Sequence, residues 1–388
     1  MIFKNDINEN IIYFDNAATT KPITSAIQAA ISAAKCYGNP SSTHIIGRNA
    51  SDILKESRRI ISDALGCEPF EFYFMPSGTV ANNIAVLGTA YCHIRRSKRI
   101  VSTDSEHPSI ELPLRRLASE GFEIIRISTK GGILNYDILR NALSEPTSLV
   151  TIMQANNETG AVYDIQKVKQ IMNDTPSGAL LHSDTIQGFM KADNITKYCD
   201  MLSISAHKIG GFKGCGGLYL KKGIRINSLI DGGGQEMGLH SGTEPMPAIA
   251  AFAAAVEEWA GSHERKQYIA ELRYYLIERL NNIIGVSINI PQNPSINIVS
   301  ISLEGVRSEV ALNYLSSVNI CVSSGSACSQ KKRESRVLTA FGLSKPQAEG
   351  TIRISLSYTN TKAEIDRLCD ELNTIIRKYS MNAGRVNR

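Results

Sequence analysis

The sequence has little of what marks a membrane or nucleic-acid-binding protein. No run of about 18 consecutive apolar residues occurs, which excludes a conventional transmembrane helix. The amino-terminal segment MIFKNDINENIIYFDNAATT has no basic region followed by a long apolar stretch, so we expect no secretory signal. The formal net charge is only +5, and no block of like charges is longer than the short run SQKKRESR. We therefore expect neither direct nucleic-acid binding nor membrane association.

Cysteine is sparse and scattered, because the eight cysteines in 388 residues form no CxxC pair and no Cys/His cluster at zinc spacing. We expect no metal site and no disulfide framework. Free thiols are typical of a reducing compartment, so the composition favours a cytoplasmic protein. The chain also lacks internal repeats, low-complexity tracts and an extended Pro/Ser linker, and its length suggests two or three ordinary globular domains.

Short apolar runs alternate with helical patterns between about residues 50 and 220. Seven of these runs are strand candidates: FEFYFM (70–75), RIVSTD (99–104), FEIIRIS (122–128), SLVTIMQA (148–155), ALLHSD (179–184), MLSISA (201–206) and GGLYLKK (216–222). Strands separated by helical segments need crossover connections, which predicts a mostly parallel, seven-stranded sheet covered on both faces. The predicted fold class is α/β.

The pattern changes from about residue 246. A long alanine-rich amphipathic region begins there, runs to residue 283 and is interrupted near GSHE (261–264). Two further strand candidates follow, SINIVSISL (295–303) and TIRISLSY (351–358), with helices between and after them. We therefore predict a large α/β domain over 16–255 and a smaller α+β domain over 256–388 together with 1–15.

Polar residues directly after the strand candidates indicate where a ligand binds, because open parallel sheets bind ligands outside the carboxyl ends of their strands. Five strand candidates end in such residues: PSGT (76–79), SEHPS (105–109), NNETG (156–160), SDTIQG (183–188) and SAHKIGG (205–211). Five polar strand ends on one sheet edge predict a binding site there.

Four features of this edge together match pyridoxal 5′-phosphate. The PSGT segment opens a helix and offers backbone N–H groups to a phosphate. Asp184 can pair with a cationic ring nitrogen, His107 can stack or move protons, and Lys208 can form a Schiff base with an aldehyde. Each feature alone has a plainer interpretation, namely a helix N-cap, a turn, a structural histidine and a solvated lysine. The combination favours the cofactor.

Two residues of the carboxyl-terminal part complete the candidate chemistry. Cys328 lies in the Gly/Ser segment VSSGSACSQKKR, where nearby basic residues favour a thiolate, although an incidental surface thiol is the alternative. Arg353 lies in the apolar strand candidate TIRISLSY, where a buried guanidinium needs a carboxylate. A substrate carboxylate and a structural ion pair are equal alternatives for it.

The chain resembles the cysteine desulfurases of the NifS/IscS type, which are fold-type I enzymes of the class V aminotransferase group. Nine segments carry the resemblance, in the family's order and over nearly the whole length: YFDNAATT (13–20), GNPSSTH (38–44), SEHPSI (105–110), NNETG (156–160), HSDTIQG (182–188), SAHKIGGFKG (205–214), DGGGQEMGLHSGT (231–243), SSGSAC (323–328) and IRISL (352–356). One such segment is weak evidence, whereas nine in order are strong.

This resemblance implies a homodimer that uses pyridoxal 5′-phosphate. Lys208 would bind the cofactor aldehyde, His107 would stack on the ring, and Cys328 would carry sulfur as a persulfide. The other implied contacts are with the phosphate (Gly78, Thr79, Ser205, His207 and, from the second subunit, Thr243), with the ring (Asp184 and Gln187) and with the substrate carboxylate (Asn157 and Arg353).

The implied reaction converts L-cysteine to L-alanine. Lys208 is the natural base at the substrate Cα, with His107 as a partner in proton transfer. Cys328 would attack the substrate sulfur, and movement of its loop would deliver that sulfur to an acceptor protein. Iron–sulfur cluster assembly, tRNA thiolation and DNA phosphorothioation all draw on enzymes of this type.

The chain departs from the family pattern at Pro76, Ser77 and Val80 in the first phosphate segment, at His240, and at Gly210 and Phe212 after the lysine. Val80 stands where the family has an acid, and His240 stands where it has an arginine. The departures suggest a specialised member, and they slightly favour a dedicated modification pathway. Two alternatives remain open: another class V enzyme, such as an aminotransferase or a selenocysteine lyase, and a non-catalytic partner-binding protein of the same fold.

Overall fold

The computed structural model describes residues 10–324 and 335–383. Its strands are β1 (Ile12–Tyr13), β2 (Phe72–Met75), β3 (Arg99–Thr103), β4 (Glu123–Ile127), β5 (Leu149–Thr151), β6 (Leu180–Asp184), β7 (Met201–Ser205), β8 (Gly216–Leu220), β9 (Val286–Ile288), β10 (Ile298–Leu303), β11 (Ile320–Cys321) and β12 (Thr351–Ser355). Its α-helices are α1 (Thr24–Lys35), α2 (Ile45–Leu65), α3 (Gly78–Asn83), α4 (Thr89–Cys92), α5 (Pro108–Ser119), α6 (Tyr136–Ala142), α7 (Ile165–Asn173), α8 (Met246–Ala260), α9 (His263–Asn281), α10 (Ser308–Ser317), α11 (Arg336–Phe341), α12 (Lys345–Glu349) and α13 (Lys362–Ala383). A π-helical turn, Ile84–Gly88, joins α3 to α4.

The chain divides into two compact units. The larger unit comprises Thr20–Asn156 and Val162–His263, and the smaller unit comprises Met1–Thr19, Asn157–Ala161 and Glu264–Arg388. The predicted domain boundary at residue 255 falls inside α8, and that helix belongs entirely to the larger unit. The larger unit ends instead at His263, in the break between α8 and α9 that the GSHE segment predicts.

The larger unit contains a seven-stranded sheet with the strand order β2-β8-β7-β6-β5-β3-β4. All seven strand candidates are confirmed, and the neighbours from β7 to β4 pair in parallel. β8 is antiparallel to both β7 and β2, so β2 runs in the same direction as the parallel strands. The carboxyl ends of β2, β3, β5, β6 and β7 therefore meet at one edge of the sheet.

Apolar helix faces cover this sheet. Helices α3 and α5 and the π-helical turn pack with strand residues in one core, whose members include Met75, Ile84, Ile100, Ile110 and Leu218. Helix α8 is alanine-rich and packs against α1 and α2. The small side chains of α8 let these helices approach closely. Strands that are buried on both faces need such helices to cover them.

Within its described residues the smaller unit has a three-stranded and a two-stranded sheet, linked by isolated bridges from Asp15 to Ser355 and from Ser323 to Arg353. β12, β10 and β9 form an antiparallel sheet, and β1 pairs in parallel with β11. The two strands predicted for this region, 295–303 and 351–358, contain β10 and β12 and are confirmed. The short strands β1, β9 and β11 have two or three residues each, too few for a period-two pattern to predict.

Two further findings concern the described residues. No helix among them is both long and apolar enough to cross a bilayer. Seven cysteines lie within the described ranges, all as free thiols; Cys199, Cys215 and Cys369 are buried and the other four are partly buried.

Candidate active site

The carboxyl edge of the larger unit's sheet gathers the polar residues that the sequence predicts there. Gly78 begins the helix after β2, and His107 caps the helix after β3. Asp184 is the last residue of β6, and Lys208 ends the 3₁₀ turn that follows β7. Because these strands share one direction, residues that are far apart in sequence come together.

The turn that carries Lys208 is fixed through its main-chain carbonyls. Three successive carbonyl groups each accept a side-chain hydrogen bond: that of His207 from Thr20 Oγ1 (2.9 Å), that of Lys208 from Lys191 Nζ (3.2 Å) and that of Ile209 from Trp259 Nε1 (2.8 Å). A backbone held at three consecutive residues fixes the point from which the lysine side chain extends, which favours a covalent cofactor link. Sequence reasoning missed these three donors, because they lie on distant segments.

Gly210 lets the chain leave this turn. Its φ is 94°, in the left-handed region, and a Cβ there would lie 2.6 Å from Ile23 Cγ2. Its N–H donates to Thr20 Oγ1 at 2.7 Å. Thr20, the last residue of the YFDNAATT segment, therefore supports the lysine turn on both sides.

Lysine side chains make this part of the edge electropositive. Burial, together with the charges of Lys208, Lys213 and Lys191, lowers the pKa of His207 to about 4. Burial, followed by repulsion from Lys208, lowers the pKa of Lys191 to about 7. The charges of Lys208 and Lys213 beside a neutral histidine suit an anion such as a phosphate.

His107 and Asp184 belong to one buried polar network. Asp184 Oδ1 accepts from the Ile186 N–H (2.9 Å), and Oδ2 accepts from Asn82 Nδ2 (2.7 Å). His107 Nδ1 lies 2.7 Å from Ser109 Oγ and accepts from the Ser109 N–H at 3.1 Å. Burial lowers the pKa of His107, Asp184 opposes this shift, and Lys208 adds to it. His107, Asp184 and Lys208 are therefore within electrostatic range of one another.

The start of α3 is packed too closely for larger residues. A Cβ on Gly78 would lie 2.3 Å from Ile186 Cδ1 and 3.4 Å from Ser205 Cβ. A Cβ on Gly216 would lie 2.9 Å from the Gly78 nitrogen. Ser77 caps the helix by accepting from the Val80 N–H. The plain N-cap interpretation is therefore correct for Ser77, and the glycines keep backbone N–H groups at the sheet edge.

The other predicted contacts of the larger unit fall in different environments. Ser205 ends β7 and is buried, and Gln187 is buried in the turn after β6. Thr79 is exposed in the first turn of α3. Thr243 is exposed in the loop before α8.

Arg353 and Asn157 meet in the smaller unit. Arg353 Nη1 donates to the main-chain carbonyl of Asn157 (2.7 Å), and Nη2 donates to Asp15 Oδ1 (2.7 Å). The arginine is only 2% exposed, and its Nε has no hydrogen-bond partner within the described ranges. The ion pair with Asp15 is present, and one buried N–H remains available to a carboxylate.

Cys328 lies outside the described residues, and the structure describes the two sides of its segment. On one side, Ser323 exchanges two backbone hydrogen bonds with Arg353. On the other, Ser335 Oγ caps α11 and donates to Glu158 Oε2 at 2.6 Å. Burial raises the pKa of this glutamate against the opposing effects of Ser335 and nearby arginines.

The larger unit fits pyridoxal 5′-phosphate. Asp184 uses one lone pair on each carboxylate oxygen and so retains acceptor capacity for a ring N–H. Lys208 can hold an aldehyde, and glycine N–H groups with clustered lysines can hold a phosphate. Among the described residues, no group of His, Cys, Asp and Glu is arranged to bind a metal. The fold and this site together define a pyridoxal-phosphate enzyme.

Comparison with known proteins identifies the family. The model of the aminotransferase class-V family matches residues 12–368. A cysteine desulfurase IscS of Methanosarcina thermophila is 34% identical over 95% of this chain and 92% of that protein. A NifS/IcsS protein homolog of Lactobacillus delbrueckii is 35% identical, with 95% and 98% covered. The chain belongs to the NifS/IscS cysteine desulfurases, pyridoxal-phosphate enzymes of the class V aminotransferase family.

Solved structures agree with this assignment. A NifS-like protein superposes with a TM-score of 0.89 at 32% identity, over 95% of this chain and 99% of that one. SspA in complex with cysteine gives 0.78 at 31% identity, with 90% and 100% covered. DndA from Streptomyces lividans gives 0.74 at 29% identity, with 89% and 99% covered. The predicted fold class and cofactor are confirmed.

Proposed function

We propose that this chain takes sulfur from L-cysteine and passes it, as a Cys328 persulfide, to an acceptor protein. The balanced reaction is L-cysteine plus the Cys328 thiol giving L-alanine plus a Cys328 persulfide. The observation that carries the proposal is the convergence of Lys208, His107 and Asp184 on one sheet edge. The solved structure of SspA with cysteine, at 31% identity, supports cysteine as the substrate.

Each step has a residue of this chain suited to it. Pyridoxal 5′-phosphate, when bound, withdraws electrons from the substrate Cα and so makes its proton acidic. Lys208 takes that proton, because its amine is the group that holds the cofactor aldehyde and is therefore the base nearest the substrate Cα. His107 moves the proton of the departing sulfur, since burial and Lys208 lower its pKa and keep it neutral. Cys328 then attacks the substrate sulfur as a thiolate, so the S–S bond forms as the Cβ–S bond breaks, and protonation of the remaining carbon skeleton gives alanine.

Further contacts are proposed for substrate and cofactor. Asn157 and Arg353 bind the substrate carboxylate, and the unpartnered Nε of the arginine supports this assignment. Gly78, Thr79, Ser205 and His207 hold the cofactor phosphate, while Gln187 contacts the ring. Thr243 completes the phosphate site of the second subunit in a homodimer, and its exposure is compatible with that role. Seven described cysteines without disulfides are compatible with a reducing cytoplasm.

The acceptor belongs to one of three kinds of pathway: iron–sulfur cluster assembly, tRNA thiolation or DNA phosphorothioation. The Val80 and His240 departures favour a dedicated modification pathway over the general one. An acceptor protein can be identified by mixing persulfidated enzyme, labelled with ³⁵S, with candidate acceptors and following the label.

The test of the proposal compares Cys328→Ser with the matched variant Cys321→Ser, which changes a thiol of the same unit. We expect Cys328→Ser to bind the cofactor but to form no persulfide from L-cysteine and to release no sulfide when dithiothreitol is present to reduce a persulfide. Cys321→Ser should keep both activities. Persulfide is measured by alkylation and intact mass, and alanine by chromatography. Undiminished sulfide release by Cys328→Ser would overturn the sulfur-carrier role, and alanine without a persulfide would indicate a lyase.

Lys208→Ala provides an independent test of the cofactor link. This variant should lose the visible absorption of covalently held pyridoxal 5′-phosphate and all turnover. A purified wild-type protein that is colourless and takes up no added cofactor would instead indicate a non-catalytic role.

A further inference from the structure

Asn82 is the buried, next-to-last residue of α3 and connects two groups of the proposed site. Its side chain is 0% exposed. Its Nδ2 donates to Asp184 Oδ2 at 2.7 Å and to Ser109 Oγ at 2.8 Å. Asp184 is separated from Asn82 by 102 positions and Ser109 by 27, so the tertiary fold makes both contacts.

The chemistry of the partners fixes the direction of these hydrogen bonds. An ionised carboxylate only accepts, so the amide nitrogen of Asn82 must face Asp184. That nitrogen has two protons, and the two contacts use both of them. Ser109 Oγ accepts one, which leaves its own proton to donate to His107 Nδ1, 2.7 Å away.

The consequence is a defined protonation pattern for His107. Its Nδ1 accepts from the Ser109 hydroxyl and from the Ser109 N–H, so the ring proton is on Nε2. Two hydrogen bonds to the neutral form oppose protonation of the ring. Asp184 and Lys208 are the charged groups that act on this histidine, and they do so in opposite directions.

We propose that Asn82 is a positioning residue that acts in two directions from one amide nitrogen. It holds the Asp184 carboxylate in place, and through Ser109 it fixes His107 as the neutral tautomer with its proton on Nε2. The proposal rests on the proposed function only for the roles of Asp184 and His107. The hydrogen-bond network itself can be tested without turnover.

The test is a ¹⁵N NMR titration of His107 in the full chain labelled at histidine, with and without bound cofactor. In Asn82→Leu the Ser109 hydroxyl is no longer oriented and Nδ1 keeps only the hydrogen bond from the Ser109 N–H, so the His107 midpoint should rise and its Nδ1 chemical shift should move toward that of a nitrogen that accepts one hydrogen bond. Ser109→Ala should shift the His107 midpoint in the same direction, and Asn82→Leu/Ser109→Ala should differ from Ser109→Ala alone only by the effect of the released Asp184 carboxylate. Asn83→Ala is the matched control. The Asn83 side chain donates to the main-chain carbonyls of Thr79 and Ser109 rather than to the Ser109 hydroxyl or to Asp184, so its loss should leave the His107 signals unchanged.

Turnover gives a second measurement. Loss of about one neutral hydrogen bond predicts a kcat lower by roughly fivefold to tenfold in Asn82→Leu. A folded Asn82→Leu protein with wild-type His107 signals would overturn the proposal, and so would a Ser109→Ala protein whose His107 signals are those of the wild type. If Asn82→Leu fails to fold, Ser109→Ala alone decides, since unchanged signals there would overturn the proposal. Absence of sulfide release in the wild type would refute the proposed function and leave this result standing.

Discussion

Arg353 allows a decisive choice between the two interpretations that its sequence position leaves open. The structure shows an ion pair with Asp15 and a hydrogen bond to the Asn157 carbonyl, both at 2.7 Å. It also leaves Nε without a partner in the described part of the chain. The perturbation is Arg353→Lys, which keeps the charge and removes the planar fork.

The structure sets the expected magnitude. A lysine amine can reach one of the two structural acceptors or a substrate carboxylate, but it cannot reproduce a fork that serves all three. A hydrogen bond to a charged group contributes roughly 1.5–3 kcal/mol, so loss of one bond to the substrate carboxylate predicts a KM for L-cysteine raised by roughly 10- to 150-fold. The kcat should change less, because the carboxylate is bound equally in ground and transition states.

Asp15→Asn is the matched variant. It weakens the ion pair but leaves Nε in place, so the expected effect is on stability, at most about 3–5 kcal/mol, with a smaller rise in KM. Alanine formation is measured against L-cysteine concentration, and unfolding is followed by circular dichroism. If Arg353→Lys is less stable yet keeps a KM within twofold of wild type, the residue is a structural ion-pair partner and the carboxylate assignment is refuted.

Two further predictions concern buried titratable groups and use urea unfolding of the cofactor-free full chain at several pH values. Burial lowers the pKa of His182 from 6.5 to about 3. On acidification, His182 is therefore protonated at a higher pH in the unfolded chain than in the folded chain. Stability should fall by about 2 kcal/mol from pH 7 to pH 5, and His182→Gln should lack this part of the loss. A wild-type slope in His182→Gln would contradict the assignment. Lys191 has a pKa lowered from 10.5 to about 7, so the folded state binds fewer protons than the unfolded one between these values. Stability should rise by about 2 kcal/mol from pH 7 to pH 9, and Lys191→Met should abolish this rise. An unchanged rise would show that Lys191 keeps its proton when folded.

Most of the sheet could be predicted because local pattern and local structure coincide there. Each of the seven strands in the larger unit is a short apolar run between turn residues, and burial on both faces produces exactly such runs. The break between α8 and α9 was predicted for a similar local reason, since Gly261 and Ser262 interrupt a helical pattern. The pairing of Ile12 with Ile320 has no local signature, because each strand is two residues long.

The candidate site was predicted only in part. Asp184 ends a strand, and His107 and Lys208 come shortly after strands. The rule that ligands bind at the carboxyl edge of a sheet was enough to select all three. Asn82 lies inside a helical pattern and Lys191 lies beyond the turn after β6, so no rule about strand ends applies to them. Their contacts with Asp184 and with the Lys208 carbonyl exist only in the folded chain.

The amino-acid sequence alone determined the α/β class, the sheet edge that carries the chemistry and the kind of cofactor, because strand periodicity and residue type are local properties. Tertiary structure decided which groups touch. Asn82 contacts both the carboxylate of Asp184, which ends β6, and the hydroxyl of Ser109 in α5. Three successive carbonyls around Lys208 accept hydrogen bonds from Thr20, Lys191 and Trp259. The reason is physical: hydrogen bonds act over about 3 Å, and only folding brings residues that are tens to hundreds of positions apart within that distance.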